Sequence, residues 1–259
     1  DIHYCILALI GFKSVLTIHD LVLLKTTTNK TKKFIYFLFW YYLPIKLATK
    51  VVCISSKTKE EVEHYINRND IEVITNPVAP NFKKDFKEFN TEEPVILHIG
   101  TGWNKNLTKV IKALEGIKCH LRIIGKIKRV DLDLLESCKL NFSNAYNIND
   151  DEILNEYKKA DIISFPSLFE GFGMPIIEGQ AIGRVVLTSN ISPMKEIGNT
   201  SVKLVDPNVV ISIKNGFLEL INNKEHRTFL INEGYKNVKK HNVNKVVIQY
   251  KNLYHKISF

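Results

Sequence analysis

Short apolar runs rich in β-branched residues recur along the chain, and each is followed by a turn and then by residues with helical spacing. Uniformly apolar strands are typical of parallel sheets that helices cover on both faces. The predicted strands comprise residues 14–18, 50–55, 71–75, 95–99, 120–125, 161–165, 185–189 and 202–206. Because strands alternate with helices throughout, the sequence predicts α/β units with parallel sheets.

A polar segment divides the chain into two such units. Residues 80–94 contain Pro80, Pro94 and many charges, which indicates a linker between domains. A chain of 259 residues is long enough for two ordinary domains. The sequence starts at Asp1 within an apolar stretch, so we expect a fragment whose first domain is incomplete.

The chain is basic, with a formal net charge of +9 and 36 lysines and arginines that are mostly lysines. A basic surface suits phosphate-bearing substrates or an anionic membrane surface, and a merely solvated lysine-rich face fits equally well. The basic residues form no motif of a known nucleic-acid reader, so no nucleic-acid partner is expected. With 45% hydrophobic and 24% charged residues, the composition excludes a disordered chain.

Four cysteines are widely spaced and form no Cys-x-x-Cys pair: Cys5, Cys53, Cys119 and Cys138. Most of them lie in or beside apolar runs, which indicates reduced core cysteines of a cytoplasmic protein.

The most apolar stretch is residues 34–43, with sequence FIYFLFWYYL, and lysines flank it on both sides. Ten residues cannot span a bilayer, which needs about 20. One interpretation is a basic, aromatic helix that lies peripherally on the inner face of a membrane. Because apolar residues occupy all faces, we favour a helix packed inside the first domain.

A glycine-containing segment, residues 169–183 (FEGFGMPIIEGQAIG), predicts a loop that runs into a helix opened by Pro175. Gly171 and Gly173 allow a tight turn and a close approach of the backbone to a ligand. The N–H groups and the dipole of the helix N-terminus suit a phosphate or a sugar hydroxyl. Glu178, one to two turns into the helix, can accept both hydrogen bonds of a vicinal diol such as a ribose.

Residues 170–178, together with the preceding 164–168 and the following 181–189, resemble the Glu-x7-Glu motif of the retaining, nucleotide-sugar-dependent glycosyltransferases of family 4. Two glutamates at this spacing would be weak evidence on their own. Because the flanking residues also match the motif, a turn whose glutamates are merely solvated is disfavoured. The resemblance implies that Glu178 holds the ribose and that Glu170 contacts the donor sugar or supports an oxocarbenium-like centre. It also implies donor binding by Gly171, Phe172, Gly173 and Met174.

A second glycine-containing loop, residues 100–106 (GTGWNKN), follows the predicted strand 95–99. It lacks the third glycine of the dinucleotide fingerprint, so a Rossmann dehydrogenase is a weak interpretation. The loop resembles the phosphate-binding loop of the same family, in which a lysine contacts the donor diphosphate. The donor-binding residues implied here are Gly100, Thr101, Lys105 and Asn106. Many family members carry an arginine where this chain has Thr101, so one cation of the expected pair is missing.

Two further residues are implied by the resemblance. His19 follows the predicted strand 14–18, at the end of the strand where ligands gather in α/β sheets. The resemblance implies that His19 contacts the donor sugar. His19, Lys105 and Glu170 are the implied catalytic residues. Tyr146, in residues 143–149, would lie near the nucleotide base.

The resemblance covers nearly the whole chain and implies a GT-B-like fold, in which two Rossmann-like domains with parallel sheets face a cleft. The implied domains are a partial N-terminal, acceptor-side domain at 1–84, a nucleotide-sugar-binding domain at 85–243, and a helix at 244–259 that crosses back to the first domain. No metal and no cofactor are implied, and no Asp-x-Asp sits at a strand end.

The implied activity is retaining transfer of a sugar from a nucleotide diphosphate sugar donor to a saccharide or lipid-linked acceptor, in cell-surface polysaccharide or lipopolysaccharide biosynthesis. Two alternatives stay open. One is a nucleotide-sugar 2-epimerase, which needs no acceptor, and the other is a non-catalytic nucleotide-sugar-binding subunit, motivated by Thr101 and the incomplete first domain.

Overall fold

The computed structural model describes residue 6 and residues 9–258, so Cys5 lies outside the described residues. The chain forms two compact units. The first comprises the described residues up to Pro77 together with those from Val243 onward, and the second comprises Val78–Asn242. The polar segment 80–94, predicted as a linker, therefore belongs to the second unit.

The first unit contains a parallel sheet in the order β1-β2-β3. Its strands are β1 (Val15–Ile18), β2 (Lys50–Cys53) and β3 (Ile71–Val73). Its helices are α1 (Val22–Thr26), α2 (Lys30–Tyr36), α3 (Leu43–Leu47), α4 (Ser56–Tyr65) and α12 (Val243–Ser258), with a π-helical segment (Phe37–Tyr42) that joins α2 to α3. The core forms around β2, where Val51, Val52 and Cys53 are fully buried.

The structure corrects the prediction that residues 34–43 lie inside the first domain. The helical segment 30–47 buries one face, through Tyr41 and Ile45, in the core of the first unit. On the same segment, Phe34 is 62% exposed and Trp40 is 38% exposed. Periodicity did not indicate this outcome, because apolar residues occupy the exposed face as well as the buried one.

The second unit contains a six-stranded parallel sheet in the order β6-β5-β4-β7-β8-β9. Its strands are β4 (Val95–Ile99), β5 (His120–Ile124), β6 (Asn141–Ala145), β7 (Ile162–Phe165), β8 (Val185–Ser189) and β9 (Lys203–Val205). Its helices are α5 (Leu107–Leu114), α6 (Arg129–Ser137), α7 (Asp150–Lys159), α8 (Met174–Ile182), α9 (Met194–Gly198), α10 (Val210–Asn222) and α11 (Lys224–Val238). The strand order reverses direction between β4 and β7, which is where doubly wound sheets open a ligand crevice.

The predicted α/β class with parallel sheets is confirmed in both units. All eight predicted strands are present, with ends that shift by at most two residues. The additional strand, β6, has the polar sequence NFSNA. It lies at the sheet edge and pairs with β5 alone, so it needs no uniformly apolar sequence.

The extended segment that leads into β4 is held by two buried charged side chains. The carboxylate of Asp161 accepts hydrogen bonds from the backbone N–H groups of Asn90 at 3.1 Å and Val95 at 2.8 Å. The guanidinium of Arg184 donates to the Asp85 carboxylate at 2.9 Å. The Asp161 contacts fix the start of β4, and the Arg184 contact fixes the segment before it.

Within the described ranges, every helix is too short or too polar to cross a membrane.

Candidate active site

The loops after β4 and β7 meet at the carboxyl end of the six-stranded sheet. The backbone N–H of Leu168 donates to the Asn104 carbonyl at 2.7 Å. The side-chain amide of Asn106 donates to the carbonyls of Pro166 at 3.0 Å and Pro207 at 2.7 Å. These bonds join three loops into one surface at the point where the strand order reverses.

Lys105 ends a 3₁₀ turn (Trp103–Lys105), and its side chain folds back over Gly100. Gly100 has a φ of +91°, and a Cβ there would lie 2.9 Å from Lys105 Cγ. Glycine is therefore required at this position, both for its backbone conformation and for the path of the lysine side chain.

The ammonium group of Lys105 pairs with the carboxylate of Glu170. Lys105 Nζ lies 2.7 Å from Glu170 Oε1, and Asn104 Nδ2 donates to the same oxygen at 3.2 Å. Lys105 Nζ also lies 5.0 Å from the centre of the Phe165 ring. The two predicted catalytic residues of the second unit are thus in direct contact, in a half-buried setting where charges interact more strongly than in bulk water.

Two of the predicted donor-binding residues are engaged within the protein. Asn106 is buried, has a φ of +65° and uses its amide group on the two proline carbonyls. The hydroxyl of Thr101 donates to the Lys126 carbonyl at 2.7 Å and ties the β4 loop to the loop after β5. Thr101, which stands where an arginine was expected, therefore has a structural contact of its own.

Helix α8 presents an N-terminus that no side chain caps. Its N-cap is Gly173, whose φ is +117°, and a Cβ there would lie 3.1 Å from Ile176 Cδ1. Met174 and Pro175 form the first turn. The positive end of the helix dipole therefore adjoins the loop that carries Glu170.

The side chain of Phe172 is buried. Its ring meets the His241 imidazole edge-on, with 5.7 Å between ring centres. The aromatic ring therefore anchors the loop, in which the preceding residue, Gly171, is half-buried.

Glu178 lies in α8 and contacts a tyrosine on α7. The hydroxyl of Tyr157 donates to Glu178 Oε2 at 2.5 Å. Burial raises the pKa of the Glu178 carboxyl, the Tyr157 hydrogen bond lowers this pKa, and the charge of Asp150 raises it. Burial, followed by the charge of Glu178, raises the pKa of Tyr157 well above 10, so the phenol stays protonated and donates.

His98 lies on β4 beneath the Lys105 loop and is buried. Its Nδ1 lies 3.4 Å from the Ser164 hydroxyl on β7. Burial, followed by the charge of Lys105, lowers the pKa of His98 from 6.5 to about 4, so the imidazole is neutral at pH 7. Neither His98 nor Tyr157 was predicted as a site residue. In the sequence, His98 is one residue of the apolar run 95–99, and Tyr157 lies in the largely polar segment 150–159.

The remaining predicted residues lie as follows. Tyr146 comes directly after β6 and is 57% exposed. His19 comes directly after β1 in the first unit, with an exposed side chain, and its carbonyl accepts from the Thr58 hydroxyl at 3.4 Å. The contacts predicted for these two residues with base and sugar stay predictions.

Among the residues that the structure describes, no three or more His, Cys, Asp or Glu side chains are grouped so that they could hold a metal ion. The site instead combines one cation, two carboxylates and an open helix N-terminus. This set can bind an anion through Lys105 and the helix, and a hydroxyl-bearing group through Glu170 and Glu178.

Two family models match the chain. The model described as glycosyl transferases group 1 matches residues 81–237, and the model described as glycosyltransferase family 4 matches residues 1–82. The chain therefore belongs to the group 1 glycosyl transferases, as the motifs at 100–106 and 164–189 suggested.

Known proteins agree with this assignment. The O-antigen chain mannosyltransferase RfbU of Salmonella typhimurium is 28% identical over 204 residues, which are 74% of this chain and 56% of the relative. This chain thus spans about half the length of that curated relative.

Two solved structures share the fold. A sucrose-phosphate synthase from Thermosynechococcus elongatus superposes with a TM-score of 0.80 at 17% identity, over 95% of this chain and 68% of the other. The Anabaena protein HepE, in complex with UDP and glucose, has a TM-score of 0.80 at 15% identity, over 97% of this chain and 74% of the other. These likenesses establish a GT-B-type α/β fold.

Proposed function

We propose that the second unit binds a nucleotide diphosphate sugar and that the protein transfers the sugar to an acceptor hydroxyl with retention of anomeric configuration. The observation that carries this proposal is the Lys105–Glu170 ion pair of 2.7 Å, beside the uncapped N-terminus of α8. The cation and the helix dipole match the negative charge of a departing diphosphate. The adjoining carboxylate matches the positive charge of an oxocarbenium-like sugar.

In this proposal, Lys105 and the first turn of α8 bind the diphosphate and stabilise the negative charge that it gains as it leaves. Without donor, Glu170 balances the charge of Lys105. A bound diphosphate would compete for the ammonium group and leave Glu170 to contact the sugar. The acceptor oxygen then bonds to the anomeric carbon as the bond to the diphosphate breaks, and the diphosphate takes the hydroxyl proton.

Glu178 would hold the ribose of the donor. Its carboxylate is half-buried, and its position on α8 lies five residues beyond the Gly173 N-cap. A carboxylate can accept both hydroxyl protons of a vicinal diol, which suits the 2′ and 3′ hydroxyls of a ribonucleotide.

We further propose that the diphosphate needs no metal ion. Lys105 and the helix dipole together supply positive charge at the place where a divalent cation would otherwise act. A chelator should therefore leave donor binding unchanged.

For the acceptor, we propose a saccharide or a lipid-linked saccharide of a cell-surface polysaccharide. The support is the similarity to a relative named as an O-antigen chain mannosyltransferase. The nature of the donor sugar follows from the experiment below.

Exposed aromatic side chains on helix α2 and the π-helical segment support a further proposal, peripheral contact with an anionic membrane. Phe34 and Trp40 are exposed on this segment. Its first residues include Lys30, Lys32 and Lys33. Exposed aromatic side chains with adjacent lysines suit the headgroup region of anionic lipids.

Product analysis tests the proposed reaction. UDP-, GDP- and ADP-sugars are incubated with and without candidate saccharide acceptors, in the presence of a chelator, and the products are examined by NMR. Acceptor-dependent release of nucleotide diphosphate, with a product of the donor's anomeric configuration, is expected. Conversion of the donor into its 2-epimer without acceptor, or an inverted product, would contradict the proposal.

A further inference from the structure

Tyr157 is the side chain that meets the carboxylate of Glu178 from inside the protein. It lies on α7, has no exposed surface, and its ring packs edge-on against Phe82 with 5.2 Å between ring centres. With the ring held by the core, the hydroxyl has a fixed position, and it donates to Glu178 Oε2 at 2.5 Å.

This hydrogen bond occupies one of the two carboxylate oxygens. Because the carboxyl group is planar, the hydrogen bond at Oε2 also sets the direction in which Oε1 points. A long glutamate side chain without such a bond samples several rotamers. Ligand binding would then have to fix one rotamer, and the lost entropy would reduce the affinity.

We propose that Tyr157 is the positioning residue that orients the Glu178 carboxylate toward the ribose hydroxyls, so that this pair sets the preference for ribonucleotide over 2′-deoxyribonucleotide donors. The inference rests on the proposed function, since it assigns the ribose to Glu178. It adds a residue that touches no substrate and acts only through Glu178.

The charge state of the pair supports this assignment. Tyr157 donates because its pKa is raised by burial. Its hydrogen bond opposes the effect of burial, and that of the Asp150 charge, on the pKa of Glu178. Removal of the phenol hydroxyl should therefore raise the pKa of Glu178 and favour the protonated carboxyl, which accepts hydroxyl protons less well.

The test compares Tyr157→Phe with the wild type. Binding of UDP, GDP and ADP is measured beside the 2′-deoxy form of each, by calorimetry with chelator present. The wild type should prefer the ribonucleotide of the base that it binds. In Tyr157→Phe, affinity for that ribonucleotide should fall about tenfold, while affinity for the 2′-deoxy form falls much less.

A pH series gives a second readout that a purely structural role would not move. As the pH is lowered, ribonucleotide binding by Tyr157→Phe should weaken at a higher pH than binding by the wild type. The reason is that the Glu178 carboxyl of the variant has the higher pKa. Tyr235→Phe removes the hydroxyl of another tyrosine in the second unit, at α11, and serves as the matched control with an unchanged ratio of affinities.

The outcomes separate the two proposals. If the wild type binds a ribonucleoside diphosphate but Tyr157→Phe binds both nucleotide forms as the wild type does, or loses both equally, the role of Tyr157 is refuted and the proposed function stands. If the folded wild type binds no nucleoside diphosphate, both are refuted.

Discussion

Lys105 Nζ and Glu170 Oε1 lie 2.7 Å apart, although 65 positions separate the two residues in the chain. The pair joins the loop after β4 to the loop after β7, at the point where the strand order of the sheet reverses. Each charge compensates the other in the unliganded protein, so the diphosphate that we propose as ligand must displace a carboxylate from the ammonium group.

This relationship predicts that two substitutions affect nucleoside diphosphate binding differently. Lys105→Ala should weaken binding about 10- to 100-fold, because a charge-assisted hydrogen bond to phosphate is lost. Glu170→Gln should leave binding unchanged or strengthen it, because the competing carboxylate charge is removed, and should abolish sugar transfer.

Calorimetry with each variant checks these effects, and the exposed Lys112 on α5 provides the control Lys112→Ala. Equal loss of binding in Lys105→Ala and Lys112→Ala would show that only overall charge matters. That result would contradict a specific diphosphate contact.

His98 predicts a loss of stability at mildly acidic pH. Its pKa is about 4 in the folded protein, against 6.5 for an ordinary histidine. Between these values the unfolded chain binds a proton that the folded protein does not, so stability falls as pH decreases from about 6.5 toward 4. From pH 7 to pH 5, this group should cost about 2 kcal/mol.

Urea unfolding of the wild type and of His98→Asn at pH 7 and pH 5 measures this contribution. The wild type should lose more stability than the variant over this interval, by roughly the amount above. Parallel pH dependences in the two proteins would show that His98 is not the responsible group.

The exposed aromatic side chains of Phe34 and Trp40 in the first unit predict binding to anionic vesicles. Phe34→Ser and Trp40→Ser should each reduce cosedimentation with vesicles that contain phosphatidylglycerol, because apolar area inserted between the headgroups is lost. Phe229→Ser, which alters a 52% exposed phenylalanine on α11, is the matched control. A similar decrease in all three variants, or no binding by the wild type, argues against a membrane contact.

The fold was largely predictable from the sequence, because buried parallel strands require uniformly apolar runs. The runs 95–99 and 185–189 coincide with β4 and β8. Strand β6 was not predicted, because its sequence NFSNA is not an apolar run. A strand at the edge of the sheet does not need a uniformly apolar sequence.

Contacts within the site depended on tertiary packing, which a sequence pattern does not show. Helix α7 spans Asp150–Lys159 and buries Leu154 and Tyr157. The hydrogen bond to Glu178 arises only because α7 and α8 pack together, with their partners 21 residues apart. A buried tyrosine in a helix next to a ligand motif is a weak signal, but its hydroxyl requires a partner.

Helix burial was the prediction that failed, for a related reason. Residues 34–43 are apolar on every face, so the pattern predicted burial on every face. The first unit offers a core to Tyr41 and Ile45 and leaves Phe34 and Trp40 exposed. Only the neighbouring elements decide which apolar face is covered.

The most direct test of the central claim is binding of UDP, GDP and ADP, with chelator present, to the wild type, Glu178→Ala and the control Glu115→Ala. Metal-independent binding of one nucleotide by the wild type and the control, lost in Glu178→Ala, is the predicted result, and it identifies the donor base. Absence of binding by the folded wild type, or equal binding by Glu178→Ala, would contradict a nucleotide diphosphate sugar site in the second unit.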